Sequence, residues 1–157
     1  MATPDFVLAL REHVGHDLLW MPGVTAFVLD ADRQHMLAVR RADTGAWTPV
    51  TGIIDPGEEP ASAAVREVAE EAGVDCAPLR LVDVRTHPPL TFPNGDHAQF
   101  LDLCFVCEHT GGEPYPADGE NTEARWFPLE DPPPMNDRFL AQLQIVLADR
   151  PEARFRR

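Results

Sequence analysis

The sequence predicts an α/β or α+β fold, a mixed β-sheet sandwiched between α-helices, and three observations carry that prediction. Six short runs rich in β-branched and aromatic residues occupy positions 18–29, 35–41, 46–54, 79–86, 99–107 and 124–129. Positions 60–72 and 136–149 instead repeat their apolar residues at helical spacing. A chain of 157 residues is expected to close one core, so a single domain over 1–157 is the expectation.

Taken in order, Thr3-Pro4-Asp5 reads as a helix start, with a hydroxyl cap, a proline where no amide partner is needed and an acid at the positive end of the dipole. That helix should run to about His13 and bury Phe6, Val7, Leu10 and Val14. Asp30-Ala31-Asp32-Arg33 looks like a hairpin turn between the first two strands. The pattern of Trp47, Val50 and Ile53 continues as a strand through Ala46 to Ile54. At Pro60 the period changes to that of a helix, with Ala64, Val65 and Val68 apolar and Gly73 where a helix stops. Phe139, Leu140, Leu143, Val146 and Leu147 define a final amphipathic helix. Sixteen prolines, about twice the ~5% average share, stiffen three loops around residues 88–93, 114–116 and 132–134. The basic tail 150–157 is expected to be mobile.

Charge excludes several functions. Thirteen Lys plus Arg against 26 Asp plus Glu give −13, and an acidic surface disfavours long nucleic acid while favouring metal cations. All thirteen cations are arginines, which removes Schiff-base chemistry and the lysine of phosphate-binding P-loops. The apolar run 18–29 is too short for a membrane span. Asp5 precedes any cation, unlike a secretion signal, and three cysteines suggest reduced thiols and a cytoplasmic home.

The densest acidic block lies between Gly52 and Val74. On a helix, Glu67, Glu70 and Glu71 are i, i+3 and i+4, so their carboxylates share one face about a turn apart. Left alone they repel, and a hard divalent cation with oxygen ligands relieves that repulsion. For these three glutamates alone, a solvated acidic face is the other reading. The whole block, however, resembles the Nudix box, G-x5-E-x7-R-E-U-x-E-E-x-G-U, with U a bulky aliphatic residue. Gly52, Glu58, Arg66, Glu67, Glu70, Glu71 and Gly73 meet every fixed position, with Val68 and Val74 at the aliphatic ones. At this composition, a chance match is on the order of one in a million.

This resemblance implies a Nudix fold and a Mg²⁺- or Mn²⁺-dependent hydrolase, cleaving the diphosphate bond of a nucleoside diphosphate linked to another group, with water as nucleophile. It places metal binding on Glu67, Glu70, Glu71 and the backbone carbonyl of Gly52. Arg66 and Glu58 fall on positions that pair and steady the loop against the helix. Glu70 or Glu67 is the expected proton acceptor, with Glu120 as an outside candidate in the 119–122 loop. A non-catalytic nucleotide-binding regulator is the reading from another class.

The box does not name the leaving group. ADP-ribose hydrolases of the family carry a proline about 15 residues beyond it, and Pro88 and Pro89 stand 14 and 15 past Val74. A nucleoside triphosphate pyrophosphatase of MutT type is the alternative within the class. Phe92, in the Pro-rich loop beside Pro89, is the expected base contact, whereas Trp47 and Trp126 read as core. Cys104 and Cys107 should point to opposite faces of a strand, and His87 and His97 read as packed or exposed rather than phosphate ligands. By analogy with the family, a homodimer is expected, with the segment Leu18 to Met21 as its interface.

Overall fold

The computed structural model describes residues 3–156. In chain order the elements are α1 (Asp5–Val14), β1 (Leu19–Leu29), β2 (His35–Arg41), β3 (Trp47–Thr48), β4 (Val50–Ile53), α2 (Pro60–Ala72), β5 (Asp75–Thr86), β6 (Leu90–Thr91), β7 (His97–Gly111), β8 (Asn121–Pro128) and α3 (Asp137–Leu147). The strands form one mixed sheet whose central path is β3-β2-β1-β7-β5, with β4 against β1, β6 against β7 and β8 against β2. The long β1–β7 pair is parallel, from Leu19 opposite Ala98 to Leu29 opposite Glu108.

Both faces of β1 are covered, which explains its almost unbroken apolar run. Val24, Ala26 and Val28 join Ala63, Ala64 and Val68 of α2 on one face. The alternate residues Phe27 and Leu29 pack with Phe139, Leu143 and Val146 of α3 on the other. Cys104 and Cys107 obey the same alternation, the first lying in the α3 layer and the second in the α2 layer. All three cysteines are buried thiols. A third cluster seats Val7 of α1 on Met21, Ile53 and Ala98.

Several expectations needed correction. Helix α1 begins without a side-chain cap from Thr3, and only Val7 is fully buried, while Leu10 and Val14 face solvent. One layer of contacts suffices for so short a helix at the sheet's rim. The expected strand 46–54 is broken between Thr48 and Val50, because Pro49 has no N–H to give a ladder. Strand β5 starts at Asp75, four residues earlier than its apolar pattern, and absorbs Pro78 by shifting register between Pro78 and Arg80. Of the segment Leu18 to Met21, given to a dimer interface by analogy with the family, Met21 is buried in the α1 cluster, and Leu18 and Trp20 are exposed.

The basic tail is docked, not mobile, over its described part. Arg154 donates its amide to Val82 O (2.8 Å) and accepts from Val84 N (3.0 Å), forming a parallel bridge at Asp83. Arg156 Nη1 then donates to Asp83 Oδ1 at 2.8 Å, and Asp83 is completely buried. A buried carboxylate holds its arginine because an unpaired charge there is costly. Arg156→Ala should therefore lower unfolding stability by ~1–3 kcal/mol in denaturant titration, typical of a lost charged hydrogen bond. An unchanged midpoint would contradict the docked tail.

Candidate active site

Helix α2 starts with Pro60 as its first residue and ends at Gly73, which adopts the left-handed conformation (φ 67°). A side chain at Gly73 would collide with the Tyr115 ring. The segment carrying Tyr115 crosses the end of α2, with Tyr115 N donating to Ala72 O (3.0 Å) and Ala117 N to Glu71 O (3.3 Å). These backbone bonds satisfy carbonyls that a helix end leaves open. They also deliver residues 119–121 to the side of α2.

Arg66 is the hub of the acidic block. Its Nε and Nη2 donate to Glu58 Oε1 and Oε2, both at 2.9 Å, and Nη2 reaches Ile53 O at 3.1 Å. Nη1 donates to Glu67 Oε1 at 2.8 Å and to Glu70 Oε2 at 3.1 Å. The expected Arg66–Glu58 pair is present, and Glu58 also accepts from Asp55 N (3.1 Å), closing the loop before α2. That fork holds the Glu58 carboxyl below its ordinary range, and together with the contact to Glu67 it raises the Arg66 guanidinium.

The three helical glutamates differ in setting. Glu67 and Glu71 are buried, whereas the Glu70 side chain is 53% exposed. Among the described residues, no three acidic, histidine or cysteine side chains converge as a ready ligand set. Instead, Arg66 bridges Glu67 and Glu70 and offsets the repulsion expected from the spacing. Glu71 Oε2 accepts from Asn121 Nδ2 at 3.3 Å, and Oε1 is buried with no hydrogen-bond partner among the described residues. Burial, aided by the negative charge of Glu67, pushes the Glu71 carboxyl up to about 7, and burial also raises Glu67.

This donor set fits a divalent cation. A desolvated carboxylate oxygen without a partner, beside a second buried carboxylate, is a strained arrangement that a hard cation relieves. Gly52 completes the cradle, since a Cβ there would overlap the Glu67 carboxyl group. Glycine is required at position 52 by that close approach.

Glu71 also gives a pH dependence. The unfolded chain loses this proton near 4.5 and the folded chain near 7, so unfolding releases a proton between those values and rising pH favours the unfolded chain. Without divalent cations, stability should fall from pH 4.5 to 7 by up to about 3 kcal/mol at this site. Melting curves of wild type against Glu71→Gln would show it, because the variant should lack that component; parallel profiles would contradict it.

Next to the cradle opens a cleft of about 260 Å³ lined by Gly23, Gly52, Ile53, Arg41, Phe92 and Phe100, among others. Phe92 is 41% exposed and available as a stacking face. Pro89 is exposed but does not line the cleft; it precedes the two-residue strand β6, whose Leu90 does. Glu120 is half-buried beside Asn121, with its carbonyl accepting from Ala42 N (2.8 Å) and its amide donating to Asp118 Oδ1 (2.9 Å). Trp47 is buried as expected, and Trp126 is partly buried against His109. His87 is packed inside and His97 is exposed near Thr91, so both keep the structural roles read from sequence.

Sequence reasoning missed Asn121, the partner of Glu71, and the cleft residues Arg41, Asp102 and Arg138. Asp102, an acid between Leu101 and Leu103 inside an apolar strand, was the available signal.

The model of the NUDIX domain matches residues 19–146, most of the chain. The chain belongs to the Nudix family. It is 35% identical over 100 residues to the NAD-capped RNA hydrolase NudC of Deinococcus radiodurans, covering 64% of this chain and 33% of that protein. Nudix hydrolase 6 of Arabidopsis thaliana is 35% identical over 120 residues, covering 69% and 39%. The chain thus spans about a third to two fifths of the length of these relatives. A MutT Nudix hydrolase from Burkholderia pseudomallei superposes with TM-score 0.62 at 26% identity, over 82% of this chain and 98% of that one. An ADP-ribose pyrophosphatase from Streptococcus suis shares the fold, with TM-score 0.62 at 24% identity over 85% and 96%. This Nudix chain accordingly has the family's mixed sheet between helices. No helix of its described residues is long and apolar enough to cross a membrane.

Proposed function

We propose that this Nudix chain is a divalent-cation-dependent pyrophosphohydrolase that cleaves the diphosphate of a small nucleoside diphosphate derivative such as ADP-ribose. The observation that carries this reading is the cleft itself, which joins Gly52, the edge of the acidic cradle, to the aromatic faces of Phe92 and Phe100. A nucleoside lying in it would bring its diphosphate to α2.

Glu67, Glu71 and the Gly52 carbonyl would hold Mg²⁺ or Mn²⁺, with Glu70 at the rim. Such an ion, when bound, supplies charge neutralisation for the phosphate oxygens and orients them. The chain's own residues do the rest. Glu70, reaching solvent, accepts the proton of the attacking water. Water attacks phosphorus as the bridging oxygen departs, so ADP-ribose would give AMP and ribose 5-phosphate. Arg41, fixed by Asp43 through contacts of 3.2 and 3.0 Å, faces the diphosphate. Arg66 and Glu58 keep the loop registered on the helix. Glu120 and Pro89 are left to supporting parts, the first beside Asn121 and the second preceding Leu90, which lines the cleft.

The NudC relatives favour one extension of the substrate range, since NAD also joins two nucleosides through a diphosphate. The test is a panel of ADP-ribose, NAD, sugar nucleotides and oxidised deoxynucleoside triphosphates with Mg²⁺. Cleavage of ADP-ribose or NAD is expected. Preferred cleavage of triphosphates would assign the MutT-type reaction, and saturable binding with no product would assign a regulator.

A further inference from the structure

Behind the cleft lies a built polar network that diphosphate cleavage does not use. Asp102, 2% exposed, sits at its centre. Its Oδ1 accepts from Thr25 Oγ1 (2.7 Å) and its Oδ2 from Gln142 Nε2 (2.6 Å), with His87 Nε2 3.5 Å away. Arg138, in the first turn of α3, places Nη2 3.4 Å from Asp102 Oδ1 and donates to Thr25 Oγ1 at 3.3 Å. Its guanidinium lies over the Phe139 ring at 4.7 Å. Thr25 and Gln142 are fully buried, and both Asp102 and Arg138 line the cleft. Three atoms in this network, His87 Nε2, Arg138 Nε and Gln142 Oε1, are buried with no hydrogen-bond partner among the described residues.

The charges decide what such a floor can receive. Burial alone would raise the Asp102 carboxyl, but contacts with His87, Arg138, Thr25 and Gln142 outweigh burial and hold it below its ordinary value, so it is ionised. Arg138 and Asp102 therefore cancel. The carboxylate accepts from Thr25 and Gln142 and has Arg138 3.4 Å away, while the Arg138 guanidinium, a fork of five N–H donors, lines the cleft and spends one donor on Thr25 Oγ1. A phosphate placed here would face a buried carboxylate behind a single arginine. A neutral acceptor meets no such opposition, and the walls of Phe92, Phe100 and Leu90 suit a flat ring.

We infer that Arg138, held by Asp102 and Thr25, is a specificity-determining residue of the cleft that receives the acceptor edge of a planar heterocycle, a ring nitrogen, carbonyl or carboxamide of the substrate. The inference rests on the proposed nucleotide reading and names the part of the nucleotide that the cleft selects. Ring nitrogens and carbonyls share this chemistry, and the probes separate them.

Direct binding of adenosine, uridine and nicotinamide riboside, with ribose 5-phosphate as the ring-free control, is measured by calorimetry without divalent cations. Wild type should bind at least one nucleoside saturably and bind ribose 5-phosphate no better than background. Arg138→Met should weaken the nucleoside about 10-fold or more while melting cooperatively, and Arg138→Lys should recover only part of that loss, because it keeps the charge and not the fork. With any substrate the enzyme cleaves, Arg138→Met should raise KM more than it lowers kcat. Preference for adenosine assigns a ring nitrogen, and preference for uridine or nicotinamide riboside a carbonyl. Equal nucleoside binding by wild type and Arg138→Met overturns the inference, as does no nucleoside binding by wild type or a larger loss for ribose 5-phosphate. Nucleoside binding that depends on Arg138 without hydrolysis of any diphosphate would retain this subsite and refute the hydrolytic reading instead.

Discussion

Gly52→Ala should reduce hydrolysis on the order of 10²-fold, because misplacing a reacting group by about 1 Å costs that much. The added Cβ would overlap the Glu67 carboxyl group, and Glu67 has little room to yield. It is buried, tied to Arg66 at 2.8 Å, and carried on a helix whose inner face is packed. Either the carboxylate moves away from the cradle or the β4 backbone retreats from α2, and both separate Gly52 O from Glu67. Steady-state rates with saturating Mg²⁺ check this. A variant with wild-type rates would mean that Glu67 and Gly52 do not act together.

Glu70→Gln should remove turnover by 10²- to 10⁴-fold, the usual contribution of a positioned proton acceptor. Because the Glu70 side chain is largely exposed and its Arg66 contact sits at the surface, the variant should melt within about 0.5 kcal/mol of wild type. That separation of activity from stability is the signature sought. Were Glu70→Gln active while Glu67→Gln was silent, the proton acceptor would be Glu67. Activity surviving in both while Glu120→Gln is dead would move the role to the 119–122 loop.

The part of this account legible in the sequence is the part set by local rules. Helix α2 begins at Pro60 and stops before Gly73 because proline suits a first turn and glycine the left-handed stop, and both bounds agree with the pattern. The almost unbroken apolar run of β1 fits a strand covered on both faces. The acidic block is legible because its spacing is contiguous in sequence. What needed coordinates is what long-range packing decides. Nothing in the i, i+3, i+4 spacing says that Arg66 joins Glu67 to Glu70, or that Asn121, fifty residues from Glu71, supplies its partner. The tail's arginines look solvated in sequence, yet the buried carboxylate of Asp83 binds one of them. Arg138 and Asp102 meet only because α3 packs beside β7 on the sheet.

The central claim is that the buried carboxylates of α2 bind a divalent cation, and calorimetric titration with Mn²⁺ at pH 7 in buffers of different ionisation enthalpy tests it most directly. Since burial pushes the Glu71 carboxyl up to about 7, it is protonated in part there, and cation binding should release a fraction of a proton per site. The expected result is saturable binding whose heat varies with the buffer, with both the affinity and the proton release reduced in Glu71→Gln. Absence of binding, or binding with no proton release that survives Glu71→Gln unchanged, would contradict it.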